Sequence, residues 1–405
     1  MSQADTSQRI YFRNLDTLRF LAAYLIVCLH CFFGWKAFFG HPSFIASGMS
    51  PNWIEKLETA VHNFSFGVDI FFVISGFLIT YLLLSERERT GKVDVMKFYI
   101  RRAFRIWPLY FVLILTGPLL TYFFFEQSPD YIYQFFFAGN FDVINQGPKS
   151  VATDHLWSIC IEEHFYLFCP LLVAFIPAKR LPQMLLSIIM ASIIFRAYTA
   201  LQEENYGMKI YMHTLSRIDV LALGSLLGYL HFHKKIKFDH PGGVRYLIYG
   251  LFLALFVTVD LNECGTLFTA TMKKYVFVLL VAYWAGNFLF NPKASFFRDK
   301  LDLLNRFGKA SYGIYMFNPV MIFLCLKLFQ AFSWQNYFLF LLAVHALLFV
   351  VTVVSYRYFE LPFLALKERY AVVKSGDAIG EEDPETEEEG LAEQKIIPLG
   401  KIDNL

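Results

Sequence analysis

Two basic residues stand eleven apart in the first long apolar run, Arg19-Phe20-Leu21-Ala22-Ala23-Tyr24-Leu25-Ile26-Val27-Cys28-Leu29-His30. On a helix that spacing returns to nearly the same face, about 16 Å further along the axis. Such a line could hold the charged end of a long, narrow substrate at Arg19 and present its far end to His30, an imidazole able to act as a general base. The plain alternative is a snorkelling Arg and a hydrogen-bonded interior His. A second basic group is Arg101, Arg102 and Arg105, just before Trp107 and Pro108. Arg101 and Arg102 precede Arg105 by four and three residues, so the guanidinium groups are expected to converge on one side. Planar forked donors suit phosphate oxygens, and they suit anionic lipid headgroups equally well.

Carboxylates occur at the ends of apolar runs, where an ionisable group near the bilayer centre costs about 2.5 kcal/mol or more and so asks for a reason. Asp69 opens one run and Glu162 lies early in another, followed by Glu163. Either Asp69 or Glu162 beside His30 would fix its tautomer and stabilise the imidazolium formed as it takes a proton; structural pairing with a buried cation explains them almost as well. Arg217 and Asp219, two apart, point to different helix faces and are expected to serve different partners, as structural ion pairs. Arg101, Arg217, Asp219, Ser75, Trp157 and Ser158 are candidate supporting residues.

The elements that must position these groups are apolar helices. Of 405 residues 56% are hydrophobic, 19% aromatic and only 17% charged, which is a membrane composition. Runs long enough to cross a bilayer recur near 15–33, 64–84, 106–125, 155–176, 184–201, 214–232, 246–261, 273–290, 310–331 and 337–356, giving an all-α protein with about ten transmembrane helices. With the N-terminus inside, about 24 basic residues fall in the cytoplasmic segments and about six outside, so both termini are expected to be cytoplasmic. The first run lacks a small-residue cleavage site and is expected to be retained. Six cysteines, Cys28, Cys31, Cys160, Cys169, Cys264 and Cys325, lack zinc or disulfide spacing and read as packing residues. Gly224 and Gly228 make a small-xxx-small packing face. The expected domains are a membrane domain over 1–370 and a disordered acidic cytoplasmic tail over 371–405, where Glu381 to Glu389 form a charge run.

Seven strings, taken together, resemble the membrane-bound acyltransferase 3 family, which includes bacterial O-antigen and peptidoglycan O-acetyltransferases. They are Arg19 to His30; Gly67 to Ile79; the arginine segment ending in Pro108; Trp157 to Tyr166; Ser216 to Gly224; Ser311 to Phe317; and Phe359 to Phe363. The resemblance runs in order from about residue 10 to 365. It implies a ten-helix core that takes acetyl-CoA or another acyl-CoA from the cytoplasm and acylates a sugar hydroxyl or a related alcohol. By the same resemblance Arg19 and His30 correspond to the basic residue and essential His of the first helix, Arg102 and Arg105 to the arginine motif linked to donor use, and Glu162 to the acidic position after Trp-Ser. Two departures stand out. Asn318 occupies a position where many members carry a His, which weakens any scheme with a second His there, and His164 replaces a more usual Gln. The esterase-like domain fused to some relatives is expected to be missing, leaving the acceptor to the membrane core.

The expected catalyst is therefore His30 with Glu162 or Asp69, and the expected donor site is Arg19, Arg102 and Arg105. An acyl-His intermediate is a variant of the same scheme. Neither a metal nor a bound cofactor is expected; acyl-CoA is a co-substrate. The expected partners are acyl-CoA, a carbohydrate or other hydroxyl acceptor and the lipid bilayer, with no nucleic acid and the oligomeric state open. The expected location is the inner membrane of a bacterium. The rival readings are a transporter or flippase, in which buried charges line a translocation path, and a non-catalytic scaffold or sensor.

Overall fold

The structure, a computed structural model, describes residues 9–12, 14–46, 48–125, 131–204, 206–238, 240–262, 265–291 and 302–375. Cys264 and the acidic run after Ser375 lie outside these residues. Among the described residues there is no strand, only one isolated bridge between Ile10 and Ser375. Helices occupy all ten places where apolar runs occur: α1 (Leu15–Phe39), α2 (Gly67–Thr90), α3 (Val95–Phe125), α4 (Trp157–Phe175), α5 (Leu181–Gln202), α6 (Thr214–Phe232), α7 (Gly242–Thr258), α8 (Lys274–Phe290), α9 (Ser311–Ala331) and α10 (Tyr337–Ser355). Seven of these regions, α1 to α5, α9 and α10, are long and apolar enough to cross a membrane by length and composition. The helix α7 is apolar but shorter, and α6 carries Arg217 and Asp219 within its length.

The surface is apolar where a soluble protein's would be polar. Met190, Ile194 and Tyr198 on α5 and Phe338, Leu342 and Phe349 on α10 are exposed. The charged side chains Asp69, Glu86, Arg196, Arg217 and Asp219 are buried instead. In lipid that distribution is the favourable one, because an ionisable group is stabilised only by protein partners or a wet cavity.

Helix α2 is the centre of the bundle. It packs on α1, α4, α6 and α8. Its contact with α6 is closer than side chains permit: a Cβ on Gly76 would stand 2.0 Å from the Leu221 carbonyl oxygen, and one on Gly224 would stand 2.2 Å from that of Val73. Only glycine lets two backbones meet this way. Gly228 likewise abuts the Phe77 carbonyl, so the expected small-residue face on α6 is in use. This contact fixes the register of the two helices and brings Asp69 against Arg217.

Near the chain ends, the Ile10 N–H donates to the Lys374 carbonyl at 2.9 Å and Arg9 pairs with Glu368 at 3.5 Å. Residues 371–375 thus dock on the segment that leads into α1, and Val373 is buried.

Candidate active site

Five helices line one cavity of about 750 Å³. Arg19 comes from α1; Ser75 from α2; Arg102 and Arg105 from α3; Ser158, Glu162 and Tyr166 from α4; and Tyr312 and Tyr315 from α9. Its ionisable lining is three guanidinium groups against one carboxylate. Arg19 is held by Asp16 at 2.9 Å, one turn before it on α1. Arg102 lies between the rings of Phe98 and Tyr166, at 5.4 and 5.3 Å from their centroids. Neither Arg102 nor Arg105 has an ion-pair or hydrogen-bond partner among the described residues. Two guanidinium groups facing a cavity with unspent donors form an anion site.

Arg101 does not line this cavity. It is 100° round the helix from Arg102, and it donates to Glu86 at 3.1 Å and to the Tyr370 carbonyl at 2.9 Å. It lines a neighbouring cavity of about 640 Å³, which shares Leu78, Arg102 and Arg105 with the first and adds Glu86 and Lys367. The two spaces therefore meet at the arginine pair.

Opposite the arginines, Glu162 Oε2 accepts from the Tyr166 hydroxyl at 2.6 Å. Having spent its proton there, Tyr166 can only accept from Ser75, whose Oγ is 2.5 Å away. Glu162 and Tyr166 are four residues apart and share one face of α4. Arg102, Arg105 and Arg19 all lie within electrostatic reach of the carboxylate. Ser158 Oγ and the Tyr315 hydroxyl are 2.7 Å apart, closing the wall on the α9 side.

His30 is partly accessible, but it is not among the residues lining this cavity, and neither expected carboxylate touches it. Its Nδ1 is 2.7 Å from the Asn318 Oδ1. The helix explains why an amide stands there. Pro319 has no N–H, so the carbonyl of Tyr315, four residues earlier, lacks its helical donor. Asn318 Nδ2 fills that role at 2.6 Å, and also donates to the Ile314 carbonyl at 3.2 Å. With its NH2 spent on carbonyls, the amide must turn Oδ1 towards His30. Nδ1 then carries the proton and Nε2 keeps its lone pair, the tautomer a general base needs. Tyr315 belongs to both groups: its side chain lines the cavity and its carbonyl anchors Asn318.

A second imidazole stands beside this one. His155, just before α4, is buried. It packs on Tyr315 at 5.6 Å and interacts electrostatically with His30. Its sequence signal was a His within a mostly apolar segment, two residues before Trp157.

The remaining candidates lie elsewhere. Asp69 does not orient His30; its Oδ1 accepts from Arg217 at 2.8 Å, with both residues buried. Asp219 pairs with Arg196 at 2.8 Å, so Arg217 and Asp219 do serve different partners. Trp157 packs on Tyr211 at 5.0 Å and lines no part of the arginine cavity.

A sequence model described as an acyltransferase domain matches residues 12–357 of the chain. The chain belongs to the acyltransferase 3 family. The match covers the seven strings except the last, and it includes every residue lining the arginine cavity. Among named members, the Staphylococcus aureus (strain COL) protein "Putative O-acetyltransferase SACOL0978" is 27% identical over 329 residues, 73% of this chain and 52% of that protein. The O-acetyltransferase OatA of Staphylococcus aureus (strain NCTC 8325 / PS 47) is 34% identical over 178 residues, 40% of this chain and 30% of OatA. The chain thus spans about half the length of the first of these relatives. No solved structure matches it.

Proposed function

We propose that the protein is an integral-membrane O-acyltransferase of the bacterial inner membrane. It moves an acyl group, acetyl by the names of its relatives, from an acyl-CoA thioester to a carbohydrate hydroxyl. On this reading the end of the bundle bearing Arg102 and Arg105 faces the cytoplasm, as the excess of basic residues in the segments on that side supports. The observation that carries the reading is that arginine pair: two cations with no ion-pair or hydrogen-bond partner among the described residues, in a cavity with a net positive lining, suit the phosphates of coenzyme A. Arg19 completes the set from α1.

In the proposed reaction the acceptor hydroxyl gives its proton to His30 Nε2 as its oxygen attacks the thioester carbonyl. The C–S bond breaks, the new ester C–O bond forms, and the coenzyme A thiolate takes the proton back from the imidazolium. Asn318 holds the tautomer throughout. Since Glu162 lines the arginine cavity and His30 does not, a second reading makes Glu162 the base, with Tyr166 and Ser75 orienting it. Coenzyme A release by the purified chain, incubated with labelled acetyl-CoA and a glycan panel, separates the two. Loss of release in His30→Ala with Glu162→Gln retaining most of it favours the first reading, and the opposite pattern the second. Full release in both variants overturns the proposal. A transporter would release no coenzyme A in any form.

A further inference from the structure

The cavity that Arg101 lines is bounded on one side by a short helix, α11 (Leu361–Glu368), which packs on α3 and lies beyond the matched acyltransferase region. The chain just after α11 is fixed there: the Tyr370 carbonyl accepts from Arg101, and the Tyr370 ring stacks on that of Phe104 at 5.9 Å. Ala371, Val373 and Ser375 continue the cavity wall. Lys367, in the last turn of α11, lines the same space. A lysine at a helix end near a membrane surface ordinarily extends its ammonium into water. Here the side chain is only 18% exposed.

The charges in this cavity do not balance locally. Glu86 is taken by Arg101 at 3.1 Å, and Glu368 by Arg9 at 3.5 Å. Lys367 Nζ is 3.7 Å from Glu368 Oε1, too far for a hydrogen bond. It has no other ion-pair or hydrogen-bond partner among the described residues. Arg102 and Arg105 have none either, so three cations line one space with donors unspent. Arg105, Arg102 and Arg19 all lie within electrostatic reach of Lys367. Like charges gathered out of water repel one another, and an anion placed among them turns that cost into affinity. An ammonium is a compact point charge with three donors, which suits a phosphate oxygen. The space is enough for a phosphate group and not for a nucleoside.

Arg102 and Arg105 line both cavities, so a ligand that reaches from one into the other passes them. Coenzyme A carries its phosphates in a matching order. Its diphosphate joins the pantetheine arm to the ribose, and the 3′-phosphate, a monoester with about −1.5 to −2 charge, stands on the ribose beyond. With the arm in the first cavity and the diphosphate at the arginine pair, the 3′-phosphate falls in the second. We infer that Lys367 binds this ribose phosphate and so makes the protein prefer coenzyme A to dephospho-coenzyme A. The assignment rests on the acyl-CoA reading above and adds to it a residue outside the matched region.

The test titrates coenzyme A and dephospho-coenzyme A into the purified full chain in phosphatidylcholine nanodiscs, with coenzyme A release from acetyl-CoA and the glycan panel measured in parallel. Compared are the parent, Lys367→Gln, Lys367→Arg and, as a control for general charge, Lys97→Gln, an exposed lysine at the start of α3. Expected is that Lys367→Gln weakens coenzyme A binding about tenfold or more, the scale of one charge-assisted hydrogen bond, while dephospho-coenzyme A binding stays within twofold. Lys367→Arg and Lys97→Gln are expected to keep the parent's preference. Without ligand, Lys367→Gln is expected to unfold at or above the parent's temperature, because a repelling cation is gone. Equal weakening of both ligands, weakening of neither, or a parent that does not prefer coenzyme A overturns the inference; normal coenzyme A release in the same samples leaves the acyl-transfer reading standing. A dependence on Lys367 seen only in discs containing phosphatidic acid marks a lipid-headgroup site and also overturns it. The expected binding pattern without coenzyme A release in any form keeps the phosphate site and removes the acyl-transfer reading.

Discussion

The Tyr166 hydroxyl links Ser75 on α2 to Glu162 on α4 in the wall facing the arginines. Tyr166→Phe removes one oxygen and leaves the ring beneath Arg102 in place. The lost bond from Tyr166 to Glu162, 2.6 Å long, is charge-assisted when the carboxylate is ionised, and such bonds contribute about 1.5–3 kcal/mol. In the variant Glu162 is free to swing towards Arg102 and Arg105, where it competes with an incoming phosphate. If that free energy appears in transition-state stabilisation, kcat/KM for acetyl-CoA falls about 10- to 150-fold. A rise in donor KM is expected to account for most of the loss. The assay is coenzyme A release by the purified chain at varied acetyl-CoA, with the unfolding temperature recorded for each variant. A kcat/KM within twofold of the parent, or a loss of stability without any change in donor KM, refutes the assignment of Glu162 and Tyr166 to the donor cavity wall.

Asn318→Ala removes the acceptor that holds the His30 Nδ1 proton, so kcat is expected to drop by ~100-fold or more, the scale of a general base, with donor KM unchanged; pre-steady-state coenzyme A release checks it. Gly224→Ala forces a Cβ to within 2.2 Å of the Val73 carbonyl oxygen, an overpacking expected to cost ~1–3 kcal/mol. Gly243→Ala, where a Cβ meets nothing within 4 Å, serves as the control in thermal unfolding. Arg217→Met leaves Asp69 buried without its closest cation and is expected to destabilise by ~3–5 kcal/mol, part of which Asp69→Asn recovers in the double variant.

The helices were legible because a bilayer demands long apolar runs, and the family was legible from strings in order along the chain. Pairings between helices were not. Asp69 and Arg217 are 148 residues apart, and the close α2–α6 contact through Gly76, Gly224 and Gly228 brings them together. Arg102 and Arg105, three apart, share a face as spacing implies, and Arg101, four before Arg105, lines the neighbouring cavity with both while its guanidinium pairs with Glu86, a partner on another helix that spacing along α3 does not reveal. The partner of His30 was expected to be a carboxylate and is an amide. The Asn318–Pro319 pair carried that signal, since a proline inside a helix frees the carbonyl four residues before it, here Tyr315. The Glu162 to Tyr166 spacing was equally readable as one helix face. That His155 would stand beside His30 depends on how α4 meets α9, which periodicity within one helix cannot report.

Calorimetric titration of coenzyme A into the purified chain tests the phosphate-binding role of the arginine pair most directly, using the parent and the Arg102→Gln/Arg105→Gln variant. Expected is saturable binding by the parent, weakened at least 30-fold in the variant and falling steeply with added salt, with dephospho-coenzyme A bound less tightly than coenzyme A. Equal affinity of parent and variant, or no heat of binding to a correctly folded parent, would contradict it.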